Sequence, residues 1–203
     1  MTKMISLSLL LTCFMICAGF APIKTYNIGD VVDDFSLKNV NNTMVSMSSY
    51  PDAKGFIIVF TCNHCPFAKK YEDRLKGFQK KYGKQGFQLI AISSNDAIAV
   101  PEDNFEAMSE RAKNKKYNFP YLYDSTQEIA RAFHAVKTPH AFIVANENGK
   151  YILKYSGGID DNAAEPDKAE HHYVDETVTA LLEGKPLTVT KTNSVGCSIK
   201  WFK

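Results

Sequence analysis

Lys54-Gly55-Phe56-Ile57-Ile58-Val59-Phe60 runs directly into Thr61-Cys62-Asn63-His64-Cys65-Pro66. The first stretch is a short apolar run of β-branched and aromatic residues, the pattern of a strand covered on both faces. From Pro66 onward Phe67, Tyr71, Leu75, Phe78 and Tyr82 return at helical spacing, one stripe of an amphipathic helix whose members are expected in the core. The two cysteines therefore stand at a strand-to-helix junction. Backbone amides at a helix start favour an anion there, so the expectation is a thiolate on Cys62, helped by a protonated His64.

Working outward, strand and helix signals alternate. Phe87-Gln88-Leu89-Ile90-Ala91-Ile92 reads as a second buried strand, followed by a helix from about Pro101 through Phe105, Met108 and Ala112. Phe119-Pro120-Tyr121-Leu122-Tyr123 reads as short and extended, and Asp124 or Ser125 is placed to cap a helix carrying Ile129, Ala130 and Phe133. Beyond Pro139, strands at 141–145 and 151–155 are joined by Asn146-Glu147-Asn148-Gly149, which suits a hairpin. A last helix is expected from about Pro166 to Leu182, ended by Gly184 and Pro186. The order argues an α/β protein with a central mixed sheet and helices on both faces. The division is a domain over residues 26–185 and a tail over 186–203.

The chain has 203 residues, 45% hydrophobic and 23% charged, enough to bury a core without disulfide staples. A formal charge of +2 creates no field that would recruit nucleic acid. Lys3 followed by the apolar run from Met4 to Phe20 reads as an export signal over residues 1–21, with the small residues Ala18, Gly19 and Ala21 at its end. The expected location is outside the cytoplasm, in the periplasm or cell envelope, with membrane attachment only if that segment stays on as an anchor. Cys13 and Cys17 would leave with the signal. Cys62, Cys65 and Cys197 remain, an odd number with two of them close together, which points to chemistry rather than a disulfide framework.

A C-x-x-C pair in this setting is a redox dithiol. Cys62 is the expected nucleophile, and Cys65, one turn into the helix, the resolving thiol. Asn63, His64 and Pro66 tune the pair, while Thr138-Pro139 offers backbone for an extended substrate peptide. Cys197 is either an accessory thiol or a packed residue of a tail anchored by Ile199 and Trp201.

Further segments strengthen the reading: Ile28-Gly29-Asp30, Asp34-Phe35-Ser36-Leu37, Ser94-Asn95-Asp96, Pro101-Glu102-Asp103, Phe119 through Asp124, and Ile159-Asp160-Asp161-Asn162. With the Cys-Asn-His-Cys-Pro motif they resemble the thioredoxin-like redoxins of the alkyl hydroperoxide reductase/thiol-specific antioxidant superfamily, over about residues 26–182. Gly196-Cys197-Ser198-Ile199-Lys200-Trp201 is similar to a terminal motif of the same subgroup. The resemblance implies a thioredoxin fold, Pro139 as a cis proline and the dithiol as the site. This chain has Lys137 where relatives often carry a cysteine before the Thr-Pro, so a thiol mechanism at that position is not open to it.

The implied activity is exchange of the dithiol with protein or small-molecule disulfides. Its partners would be protein thiols and disulfides together with an oxidoreductase that donates or accepts electrons, and it needs no organic cofactor. Thiol peroxidase activity is the alternative. The P-x-x-x-T/S-x-x-C pattern is absent in either register, since Gly55 and Val59 precede Cys62 and Ile58 and Cys62 precede Cys65 at those positions. A copper-binding reading, using Cys62, His64 and Cys65 with a distant histidine among His134, His140, His171 and His172, ranks third. A structural zinc site lacks a matching second half, so no resident metal is expected. Asp160-Asp161 read as turn and cap residues, and His171-His172 as a solvated helix face.

Overall fold

The computed structural model describes residues 24–203, and the expected signal segment with Cys13 and Cys17 lies outside the described residues. Among the described residues no helix is long and apolar enough to cross a membrane.

The junction strand, β3 (Gly55–Phe60), is buried along its whole length because it lies inside the sheet with helices or loops over both faces. Preceding it are β1 (Ser36–Asn39) and β2 (Met44–Ser46); following it are α1 (Pro66–Tyr82), β4 (Phe87–Ser93), α2 (Phe105–Lys115), β5 (Tyr121–Tyr123) and α3 (Glu128–Ala132). Then come β6 (Lys137–Thr138), β7 (His140–Glu147), β8 (Lys150–Gly157), α4 (Tyr173–Leu182) and β9 (Cys197–Ser198). Seven strands form one sheet in the order β2-β1-β5-β4-β3-β7-β8, while β6 and β9 pair separately. Strand β3 is parallel to β4 and antiparallel to β7, so the sheet is mixed, as the α/β reading expects. This is the thioredoxin fold with an added N-terminal hairpin at one edge.

Alternation along β3 divides the core. Phe56, Ile58 and Phe60 face one cluster with Ile90, Ile92, Phe133 and Phe142, covered by α3. Ile57 and Val59 face the other with Tyr71, Leu75, Leu89, Met108 and Val174, covered by α1, α2 and α4. Burying each large apolar side chain stabilises the fold by about 1.5–3 kcal/mol, so both faces pin β3 and with it the start of α1.

Several boundaries depart from the sequence expectation. The final helix begins at Tyr173; Pro166–Lys168 make a single 3-10 turn, and Ala169 is extended, which breaks the helical ladder. His171 and His172 thus precede the helix instead of decorating its face. Asp161 receives hydrogen bonds from the backbone N–H groups of Glu170 and His171, its turn role, whereas buried Asp160 pairs with Arg74 and accepts from Tyr71 Oη at 2.7 Å, tying its loop to α1. Phe67, expected in the core, is 36% exposed. It stands in the first turn of α1, beyond the sheet's cover. The hairpin strands β7 and β8 extend further toward the Asn148-Gly149 turn than their apolar centres suggested. The N-cap of α3 is Gln127 and not Asp124 or Ser125, although Asp124 reaches the first turn and accepts from Ala130 N at 3.0 Å.

Candidate active site

Cys62 leaves the end of β3 and Cys65 is the N-cap of α1, with Pro66 at the first helical position where its missing N–H costs nothing. Both thiols are enclosed, Cys62 at 3% exposure and Cys65 at 0%. The Thr138-Pro139 bond is cis and its loop lies against the pair. Thr138 touches both sulfurs: its Oγ1 is 3.1 Å from Cys62 Sγ and its carbonyl oxygen 3.1 Å from Cys65 Sγ.

Asp103 carries no site signal in the sequence beyond its place in the Pro101-Glu102-Asp103 segment. It is fully buried, just before α2, and its carboxylate organises the junction. Oδ1 accepts from Asn63 N at 2.6 Å and His64 N at 3.1 Å; Oδ2 accepts from Asn95 Nδ2 at 2.7 Å and lies 2.5 Å from His64 Nδ1. That same imidazole nitrogen is 3.5 Å from Cys62 Sγ. Asn63 is locked as well, its side chain donating to Glu102 O at 2.8 Å and accepting from Tyr121 Oη at 3.1 Å. The motif turn is therefore held by tertiary hydrogen bonds, chiefly to one buried carboxylate that also braces His64.

The thiols ionise as a pair. The hydrogen bond between the two sulfurs pushes Cys62 up and draws Cys65 down, and burial and the Asp103 carboxylate add to the rise at Cys62. The Thr138 carbonyl works the other way, because it can only accept a proton and so favours the thiol form at Cys65. The first proton leaves readily, the second is held tightly, and the charge belongs to both sulfurs. The helix terminus favours a thiolate on Cys62, and the proximity of Cys65 draws the charge toward the second sulfur as well.

The Thr138-Pro139 loop also differs from expectation. Its strand β6 is already paired, Thr138 opposite Cys197 and Lys137 opposite Ser198, so the backbone offered to an extended peptide is taken by the chain's own tail. Ile199 is buried and Trp201 packs against the core with the Arg131 guanidinium 4.5 Å from its ring centre, as a packed tail requires.

Cys62 Sγ, His64 Nδ1 and an Asp103 carboxylate oxygen lie within 4.8 Å of one another, a set of mixed soft and hard donors. The carboxylate is committed to its four hydrogen bonds. His140 is not available to complete such a set: it is buried beside Phe142, and burial brings it down to about 4, with Lys191 and Lys137 adding to the effect. His171 and His172 stand beside α4, where His171 stacks on Tyr173.

The sequence pattern of the AhpC/TSA family matches residues 28–157, the stretch that holds the dithiol and the cis proline. The chain belongs to the AhpC/TSA family. Similarity to this thioredoxin-like, oxidoreductase family runs beyond the matched stretch. A solved structure described as an uncharacterized conserved protein from Geobacillus kaustophilus is 35% identical and covers 88% of this chain and 94% of its own, with a TM-score of 0.79. Over 116 residues the chain is 22% identical to Sporulation thiol-disulfide oxidoreductase A of Bacillus subtilis, covering 57% of this chain and 66% of that protein. Over 156 residues it is 26% identical to Glutathione peroxidase 1 of Caenorhabditis elegans, covering 68% and 94%. The AhpC/TSA chain thus resembles proteins named for disulfide exchange and for peroxide reduction.

Proposed function

We propose that the protein is an exported thiol-disulfide oxidoreductase. The observation that carries this reading is the pair Cys62 and Cys65 packed together at a strand-to-helix junction, each sulfur 3.1 Å from an oxygen of Thr138 in the cis-proline bond. Cys62, the outer sulfur, attacks a disulfide; its proton passes to Cys65, the substrate S–S bond breaks and one thiolate leaves. Cys65 Sγ then attacks Cys62 Sγ, the mixed disulfide breaks, and the proton on Cys65 goes to the departing sulfur. Two thiols and one disulfide become one disulfide and two thiols. Protein disulfides, and an oxidoreductase that returns the dithiol to its starting state, are the proposed partners. Export rests on the charged-then-apolar stretch at residues 1–21.

Insulin reduction by the purified protein tests this assignment. Cys62→Ser is expected to abolish it, and Cys65→Ser to abolish turnover while accumulating a mixed disulfide on Cys62. Undiminished activity in both variants would overturn the assignment.

A second reading, thiol peroxidase, is favoured by one observation. The hydroxyl missing from the local motif is supplied from a distance by Thr138, 3.1 Å from Cys62 Sγ. Stopped-flow rates of the reduced protein with hydrogen peroxide and with a small disulfide separate the two, and a much faster peroxide reaction would make Cys62 the site of a sulfenic acid.

A further inference from the structure

The tail does more than cover the dithiol. Cys197 packs against the cluster of Cys62, Cys65 and Ala68, and it is the most exposed of the three cysteines. Strand β9 brings it there by pairing antiparallel with the residue before the cis proline. Gly196 permits the approach, since a Cβ there would stand 2.1 Å from Thr138 O. The segment is anchored on its far side: Asn95 Oδ1 accepts from Lys200 N at 2.7 Å, Gln127 Nε2 donates to Lys200 O at 2.8 Å, and Gln127 Oε1 accepts from Phe202 N at 2.9 Å. An extended strand carrying a cysteine, laid along the cis-proline loop, is the geometry of a bound disulfide substrate supplied by the chain itself.

We propose that Cys197 is the third member of an internal thiol relay, which moves the disulfide from the enclosed Cys62–Cys65 pair to Cys65–Cys197. The proposal rests on the exchange reading above. Once substrate has oxidised the pair, Cys197 Sγ attacks Cys65 Sγ. The Cys65–Cys197 bond forms as the Cys62–Cys65 bond breaks, its electron pair leaves on Cys62, and the proton from Cys197 ends on Cys62. One disulfide is conserved, so no further oxidant is consumed. Cys62 is then free beneath Thr138, and an incoming reducing thiol meets the disulfide at its exposed end, Cys197.

The electrostatics give this relay an order. In the reduced protein burial, followed by the hydrogen bond to Cys65 and the charge on it, pushes Cys197 up to about 11, so it stays protonated and unreactive. When Cys65 enters a disulfide that charge disappears, and Cys197 becomes the better nucleophile when it has something to attack.

The test is a disulfide map of the full chain. Wild-type protein is oxidised with a small disulfide, quenched in acid, alkylated and digested, and the linked peptides are identified by mass. Both Cys62–Cys65 and Cys65–Cys197 links are expected, and the folded Cys62→Ser variant should form Cys65–Cys197 on its own. The rate at which a reduced protein dithiol such as thioredoxin resets the oxidised chain should fall about tenfold in Cys197→Ser, because attack must then reach the enclosed pair. The relay is overturned if the wild-type map holds Cys62–Cys65 alone and Cys197→Ser resets at the wild-type rate. That result leaves the exchange reading standing, which fails separately, through undiminished insulin reduction by Cys62→Ser and Cys65→Ser.

Discussion

The Cys62–Cys65 turn and the Cys197 segment meet at the same sulfur cluster but are held in different ways. The turn hangs from β3, whose six residues are buried and paired on both sides, and Asp103 locks its amides. The tail contributes a two-residue strand and two further backbone hydrogen bonds, Ile199 N to Val136 O and Asp96 N to Lys200 O, and takes its other partners from the side chains of Asn95 and Gln127. Asn95 belongs to both regions, since one end of its amide serves Lys200 and the other Asp103. The difference teaches that the dithiol is a fixed platform and the tail a docked strand, whose release would bare the cis-proline backbone.

The largest expected effect concerns pH. In the reduced protein the hydrogen bond from Cys62 draws Cys65 down to about 4 from an ordinary value of 9.0. Between those values the unfolded chain binds the extra proton, so this contribution is fully present above pH 9 and is lost as pH falls toward 4. Urea melts of the reduced and the oxidised protein across that window should show the reduced form gaining stability with rising pH relative to the oxidised one. Equal slopes would mean that the pair does not share its proton.

Next is the platform itself. Asp103→Ala strips the acceptor from Asn63 N, His64 N and Asn95 Nδ2 and should cost about 3–4 kcal/mol in denaturant melts, at about 1–3 kcal/mol for each donor left buried and unpaired, without full additivity. A loss below about 1 kcal/mol would mean that the turn is held by β3 alone.

Gln127→Ala acts on the tail and on Ser94, whose carbonyl oxygen also accepts from Gln127 Nε2 at 2.8 Å. It removes the partner of Phe202 N and one of the two donors to Lys200 O, which keeps Asp96 N, and should cost about 1–2 kcal/mol. Cys197 alkylation should accelerate while the Cys62–Cys65 pair is unaffected. If all three thiols sped up together, the two regions would be one cooperative unit.

The smallest effects are shifts of potential with opposite signs. Asp103→Asn removes a charge that pushes Cys62 up, which stabilises the singly ionised reduced pair and makes it more oxidising. His64→Ala leaves that carboxylate facing Cys62 without its imidazole partner and makes the pair less oxidising. Each should move a glutathione redox titration by about 30 mV for every factor of ten in the dithiol equilibrium. Shifts of the same sign would remove Asp103 and His64 from the control of the pair.

The amino-acid sequence by itself determined the strand-to-helix junction and the alternation around it, because these rest on short-range periods of two and 3.6 residues. It was silent on β1 and β2, short strands that are extended because β1 pairs with the edge of β5, β2 pairs with β1, and Leu37 and Val45 pack against the core. Only the tertiary structure decided which groups meet at the sulfurs. Asp103 lies 39 residues from the His64 that it braces, Thr138 lies 76 residues from the Cys62 that it contacts, and Asn95 lies 105 residues from the Lys200 amide that it holds. A hydrogen bond between such distant partners leaves no period in the chain. It exists because the buried faces of β3 bring three loops to one end of the sheet, where each polar group excluded from water must find a partner.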